Sequence, residues 1–311
     1  MLTLPFFLCQ FQIYLYSQNI INLNKTMKIK ILFIALLFFT TFKLVAQSSV
    51  YKITGNETTM YLGGTIHILK DADFPLPKEY EEAYLKSSLL ILETNIDASA
   101  QQELGLLMLD LAQYPEGKSL KTELSKTSFS NLNSAFEKEG LNLEMFNKQK
   151  PIMAVMMLTL TKLQKLGYNS EGVDMFFQNK AEKDDISIGS LEKAAFQVKT
   201  LAELGDKNPD AFVAYSLKDL DNMEIFFEDM KHAWRTGNGA ALVKISDEMY
   251  TDYPEIYEKL LVLRNNNWMK KINALMKTSE TEFVLVGALH LFGKDGLLNL
   301  MKAEGYTIEQ L

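Results

Sequence analysis

Tyr61-Leu62-Gly63-Gly64-Thr65-Ile66-His67-Ile68-Leu69 is a short apolar run that reaches a glycine pair, turns, and delivers a histidine. The chain repeats the device near its end, at Phe283-Val284-Leu285-Val286-Gly287-Ala288-Leu289-His290-Leu291. Each reads as a β-strand followed by Gly-x-x-His. A third run, Leu89-Leu90-Ile91-Leu92-Glu93, closes on a carboxylate instead. Everything between these segments serves to bring His67, Glu93 and His290 together.

In open α/β sheets, ligands bind beyond the carboxyl ends of the strands. All three side chains belong there if their strands run parallel. Gly64 and Gly287 are expected to supply turn geometry and close backbone approach. Two imidazoles and one carboxylate with an open position form a ligand set that suits Zn, Mn, Fe or Co. Taken singly, each residue has a plain structural role: a histidine bonded within its loop, or a solvated glutamate after a strand. The recurrence of one motif in one context sets this pair apart. It is not the His-Glu-x-x-His helix of the common zinc peptidases.

Residues 1–26 are apolar and aromatic with no acid. After them, Met27-Lys28-Ile29-Lys30 is a basic n-region and Ile31–Phe42 an apolar stretch. That stretch is shorter than the ~20 residues of a membrane span. Leu44-Val45-Ala46 then offers a cleavage site, so residues 27–46 are expected to be a secretory signal peptide. Residues 1–26 are expected to be an upstream misassigned start, and residues 47–311 a single domain. The expected location is the periplasm or the exterior, with the membrane touched only through the signal. The one cysteine, Cys9, precedes Met27, which leaves the mature chain without thiol or disulfide chemistry. Losing residues 1–46 removes four lysines and no acid, taking the formal net charge from −7 to −11. An acidic surface of this kind argues against nucleic acid as a partner.

From Tyr51 to Gly63 the chain reads as a hairpin leading into the first motif. Asp71–Pro77 is a polar, proline-bearing loop, the whole of Thr65–Pro77 is expected at the mouth of the site, and a helix follows from Lys78 to Ser87. Helices dominate from Ser99 to Thr278, among them Pro151–Leu166 with proline at its first position. Its Met153, Met156 and Met157 read as core rather than as a ligand groove. A short strand is expected at Ile186–Gly189, then Glu192 at its end. His232, in a helix without a strand or turn beside it, reads as structural. The fold class is α/β: a small mixed or parallel sheet from the N- and C-terminal segments, with a large helical insertion.

The chain resembles the TraB/PrgY/GumN family, which includes the Tiki-type metal-dependent proteases. The matching stretches are Tyr61–Leu69, Ser88–Glu93, Gly172-Val173-Asp174, Leu191-Glu192 with Gln197, Trp234-x-x-Gly237, Arg264-Asn265 with Trp268, and Val286–Gly296. The resemblance implies a metal-dependent hydrolase acting on peptide or protein substrates. His67, His290 and Glu93 are then the expected ligands of a divalent Mn, Co or Zn, with Glu93 as ligand or general base. Asp174 and Glu192 are expected to orient a ligand imidazole, with an N-cap or a structural salt bridge as the competing role. Arg264, with Asn265 beside it, is expected to hold a substrate carboxylate or a developing oxyanion, or else to bind helix-end carbonyls. Two other classes stay open. One is a non-catalytic protein that binds a peptide, haem or metal. The other is a metal-independent, esterase-like hydrolase.

Overall fold

Strand β1 (Val50–Gly55) opens the folded region and turns back as β2 (Thr58–Thr65), with Tyr51 opposite Leu62 and Ile53 opposite Met60. This is the expected hairpin. The computed structural model describes residues 47–55, 58–94 and 98–311. The upstream segment 1–26 and the expected signal peptide 27–46 lie outside the described residues.

Beyond His67 a two-residue strand, β3 (Ile68–Leu69), is followed by helix α1 (Lys78–Leu85) and strand β4 (Leu89–Leu92). The helical middle contains α2 (Ala98–Leu111), α3 (Leu120–Glu123), α4 (Lys126–Glu139) and α5 (Pro151–Lys165). Helix α4 is capped by Ser125, whose hydroxyl accepts from Ser128 N, and it stops at Gly140, which takes the left-handed conformation (φ 77°). Strand β5 (Ser170–Glu171) then pairs with β3 and leads directly into α6 (Val173–Lys183). Strand β6 (Ser187–Ser190), α7 (Ala194–Ala202), the long α8 (Pro209–Arg235), α9 (Gly239–Asp252) and α10 (Pro254–Tyr257) complete this region. A π-helical turn, Glu258–Val262, opens into α11 (Leu263–Leu275), and the chain ends with β7 (Glu282–Gly287), α12 (Leu297–Ala303) and β8 (Thr307–Gln310).

Six strands form one mixed sheet in the order β6-β4-β7-β2-β1-β8. Strands β6, β4, β7 and β2 are parallel, and the hairpin and the last strand add an antiparallel edge. The terminal segments supply five of these strands, as expected. The sixth, β6, comes from the helical middle, so the insertion also reaches back into the sheet. Strand β7 slots between β2 and β4, which are nearer in sequence to each other than to it. Thr65 therefore lies opposite Gly287, and Leu92 opposite Leu285. Three neighbouring parallel strands thus end side by side, and His67, Glu93 and His290 all follow those ends.

The sheet is covered on both faces, which is why its central strands are apolar throughout rather than alternating. Leu62, Ile91, Val284 and Val286 pack with Trp268, Met269 and Ile272 of α11 and with Leu297 and Met301 of α12. Tyr61, Leu90, Leu92, Phe283 and Leu285 face Tyr80 and Tyr84 of α1, Val173 and Phe177 of α6, and Trp234. The helical region has separate apolar centres. In one of them Leu132 and Phe136 of α4 meet Ala154 and Leu158 of α5 and Val213 and Leu220 of α8. On α5, Met153 and Met156 pack against a further such centre, while Met157 is exposed.

Candidate functional site

Gly287 lies where the three strand ends meet. A Cβ added there would fall 3.2 Å from Glu93 Oε1, 3.5 Å from His290 Cδ2 and 3.6 Å from His67 Nε2. The two imidazoles would stand at ordinary contact distance, and the Glu93 carboxylate would have to give by a few tenths of an ångström. The expected turn geometry is corrected here: Gly287 has φ −49°, and Gly64 is likewise outside the left-handed region. Their role is space. A Cβ on Gly64 would meet the Ala288 backbone at 3.2 Å and Leu291 at 3.0 Å, which would push the second histidine's turn away from the first strand.

Each imidazole is held by its Nδ1. His67 Nδ1 lies 2.8 Å from Asp174 Oδ2. Asp174 reaches it because α6 begins against the His67 loop: Val173 N donates to Ile66 O at 3.0 Å. Gly172 is the helix's N-cap, and Asp174 sits inside its first turn, so Asp174 is not the cap. His290 Nδ1 donates to Asn265 Oδ1 at 2.7 Å, and Asn265 Nδ2 donates to the carbonyls of His290 and Asp295. Both rings therefore turn Nε2 toward the site, the arrangement found in metal-ligating histidines.

Glu192 does not orient an imidazole, which corrects one of the two roles expected for it. It is buried against Arg264, accepting from Nε at 2.9 Å and Nη2 at 2.6 Å, and its other oxygen accepts from Trp268 Nε1 at 3.0 Å. Asn265 takes the orienting place instead. Arg264, in the first turn of α11, is also buried, and its donors are spent within the protein. Besides Glu192 they reach Glu93 Oε2 at 2.5 Å, His290 Nε2 at 3.0 Å and the Leu260 carbonyl at 3.3 Å. The expected contact of Arg264 with a substrate carboxylate or oxyanion is thus replaced by contacts to Glu93 and His290. Glu93 also accepts from Gly287 N at 2.6 Å and from Gln197 Nε2 at 3.0 Å. Gln197 was given no role on sequence grounds. Its place in the matching stretch with Leu191-Glu192 is the available signal.

Charge follows from these contacts. The Asp174 carboxylate beside His67 raises that histidine from 6.5 to about 9, against the opposing effect of burial. His67 lines the pocket with 65 % of its side-chain area open, so solvent tempers this shift. Burial lowers His290 from 6.5 to about 3, and Arg264 pushes the same way. Burial alone would raise Glu93, but nearby positive charge and the Gly287 N–H bring it down to about 2. At neutral pH, where His290 is uncharged, Arg264 and the protonated His67 carry that effect. Glu93 is then a permanent carboxylate, suited to balancing a cation and poorly suited to accepting a proton.

These groups form the floor of a cavity of about 600 Å³. Its walls are mainly apolar, with Met175, Phe227, Met230, Met249 and Leu261 among them. His232 takes no part in it. The donor set for a divalent ion is two imidazoles fixed by their Nδ1 anchors and one ionised carboxylate; to serve as ligands, His67 gives up its Nε2 proton and His290 its bond from Arg264 Nη1. Among the described residues, no three His, Cys, Asp or Glu side chains are gathered at ligand spacing. The Arg264 guanidinium lies between two of the three expected donors.

The fold and the site define an α/β protein with a paired Gly-x-x-His centre at the ends of parallel strands. The sequence profile of the TraB/PrgY/gumN family matches residues 49–310, and the chain belongs to that family. No curated protein and no solved structure matches it.

Proposed function

We propose that this protein is an exported, metal-dependent hydrolase that cleaves peptide bonds, with its divalent Mn, Co or Zn held by His67, His290 and Glu93. The observation that carries the reading is the pair of Nδ1 anchors, Asp174 at 2.8 Å and Asn265 at 2.7 Å, which turn both Nε2 atoms toward the site beside a buried carboxylate, with Arg264 Nη1 resting on that of His290. Bound there, such an ion supplies Lewis-acid polarisation of a carbonyl and a nucleophile at neutral pH. The chain's own residues do the rest. Asp174 and Asn265 fix the two rings. Glu93 stays ionised and balances the added charge. The apolar walls receive substrate side chains and exclude bulk water from the reacting bond.

The test is purification without a chelating tag, elemental mass spectrometry, and a peptide-cleavage screen with added Mn, Co and Zn. Near-stoichiometric metal, lost in the His67→Ala/His290→Ala double variant together with at least about a hundredfold of the activity, supports the reading. No bound metal after reconstitution removes it. Sequencing the N-terminus of the exported protein tests export; a mature chain that begins before Met27 contradicts it.

One observation favours a second reading. Arg264 reaches Glu93 and His290, and His67 forms a dyad with Asp174, so the site already contains a cation and a proton carrier. A metal-independent hydrolase would use these directly, with protonated His67 as the acid. Turnover that resists chelators distinguishes it.

A further inference from the structure

Two buried carboxylates share one guanidinium. Glu93 and Glu192 both pair with Arg264, at 2.5 and 2.6 Å, and among the described residues no other Lys or Arg forms an ion pair with either. Arg264 presents two different edges to them. Nη1 and Nη2 reach into the site, to His290 Nε2 and Glu93 Oε2. Nε and Nη2 are held from behind by one oxygen of Glu192. Glu192 is itself fixed: its N–H donates to the Glu93 carbonyl at 2.9 Å, and its second oxygen accepts from Trp268.

We infer that Arg264 is the resting counter-cation of the site, and that a divalent metal enters by exchange with it, the guanidinium releasing His290 and Glu93 while staying paired with Glu192. The inference rests on the metal reading above. Its core is a matter of valence. The Nε2 of a neutral His290 has one lone pair, and Arg264 Nη1 now occupies it. A metal and a guanidinium cannot both use that lone pair, and two cations at that separation repel. Exchange keeps every buried charge compensated, and the Nε2 proton of His67 leaves to solvent as the metal takes that lone pair. Glu93 trades a guanidinium for a metal, and Glu192 keeps the arginine from being left buried and unpaired. The site thus discriminates by charge density: only a cation that outcompetes a preorganised guanidinium enters.

The protein carries its own reporter. The guanidinium lies over the Trp268 ring, its central carbon 4.6 Å from the ring centroid, and the His290 ring packs tilted against the same indole, 4.4 Å between centroids. The other tryptophan, Trp234, is bonded to Gly64 and Tyr80. The test is calorimetric titration of the metal-free full chain with Zn, which has no unpaired electrons to quench emission, followed in parallel by tryptophan fluorescence. Circular dichroism checks that each variant is folded.

Wild type is expected to show an emission change that tracks the calorimetric isotherm. Arg264→Lys keeps a charge for Glu192 but loses the fork that reaches both His290 and Glu93. It is expected to bind Zn at least about tenfold tighter. Glu192→Gln removes the arginine's retreat and is expected to bind Zn at least about tenfold more weakly. Equal or weaker Zn binding by folded Arg264→Lys overturns the exchange while leaving the metal reading in place. Zn binding by wild type with no emission change does the same, and it decides the matter if Arg264→Lys does not fold. No Zn binding by any form overturns both.

Discussion

A single methyl group at residue 172 is enough to separate the two sides of the site. A Cβ on Gly172 would fall 2.3 Å from both the His67 carbonyl carbon and the Ile66 oxygen, and both of these are backbone atoms. The helix that carries Asp174 would have to move away from the loop that carries His67. Gly172→Ala is therefore expected to cost about 1–3 kcal/mol through overpacking. It should also lower the melting temperature by several degrees, on the order of 2–4 °C per kcal/mol. NMR titration should show His67 returning toward 6.5 from about 9 as the Asp174 contact is lost. An unchanged His67 titration would contradict this account. At His290 the equivalent change is Asn265→Ala, which strands a buried ring N–H. It should cost about 1–3 kcal/mol in a urea melt, and about 10–100-fold in metal affinity or hydrolysis. The site's chemistry was legible in the sequence because the two Gly-x-x-His motifs repeat in one context. The division of labour around it was not. A carboxylate is the usual partner of an imidazole, so Asp174 and Glu192 are the residues expected beside a ring, while Asn265 is expected at the substrate or in a supporting position next to Arg264. Adjacent residues on a helix point about 100° apart. Arg264 and Asn265 thus reach opposite sides of the same histidine, and sequence spacing does not say which side.

Among the elements, β2 is held in place from outside the sheet. The Gly64 carbonyl accepts from Tyr80 OH at 2.5 Å and Trp234 Nε1 at 2.8 Å, and Ser49 Oγ bonds the Trp234 carbonyl at 2.8 Å. One helix before the sheet's third strand and the end of the longest helix thus converge on the peptide three residues before His67. Trp234→Phe keeps the ring's bulk but removes the donor. It should cost about 0.5–1.5 kcal/mol in a urea melt and lower hydrolysis by shifting His67, whereas the stability of Tyr80→Phe should fall further because Tyr80 also accepts from Trp234 at 2.6 Å. Equal stability of both variants and wild type would remove the clamp. Apolar runs bounded by glycine and proline made most elements legible, including α5 with its proline start and the strand at β6. Strand order was not legible, because β7 enters between β2 and β4 from about two hundred residues away. The two-residue strands β3 and β5 were missed as well, since Ile68–Leu69 and Ser170–Glu171 carry no periodicity to read. They nevertheless tie the His67 loop to the start of α6.

For the molecule as a whole, the two site histidines impose opposite pH dependences on stability. His290 is held neutral in the folded state down to about 3, against 6.5 when exposed. Between those values the unfolded chain binds a proton that the folded chain refuses, so stability is lost as the pH falls from 6.5 toward 3. Glu93 acts in the same direction below 4.5, because its folded form stays ionised to about 2. His67 has the reverse sign. Its folded form keeps a proton up to about 9, so its contribution is complete below 6.5 and is lost as the pH rises through 9. The metal-free protein is thus expected to gain stability from these groups on approaching pH 6.5 from either side. The acid side should be the steeper, because His290 and Glu93 are buried whereas solvent in the pocket tempers His67. Urea midpoints at pH 4, 6.5 and 9 measure this, with Asp174→Asn and His290→Gln as controls. Asp174→Asn should flatten the loss between 6.5 and 9, and His290→Gln should flatten the loss between 6.5 and 4, each by a slope on the order of one proton at most. If Asp174→Asn leaves the alkaline slope as steep as in wild type, His67 does not carry the extra proton, and the pocket has no standing preference for a cation at Nε2.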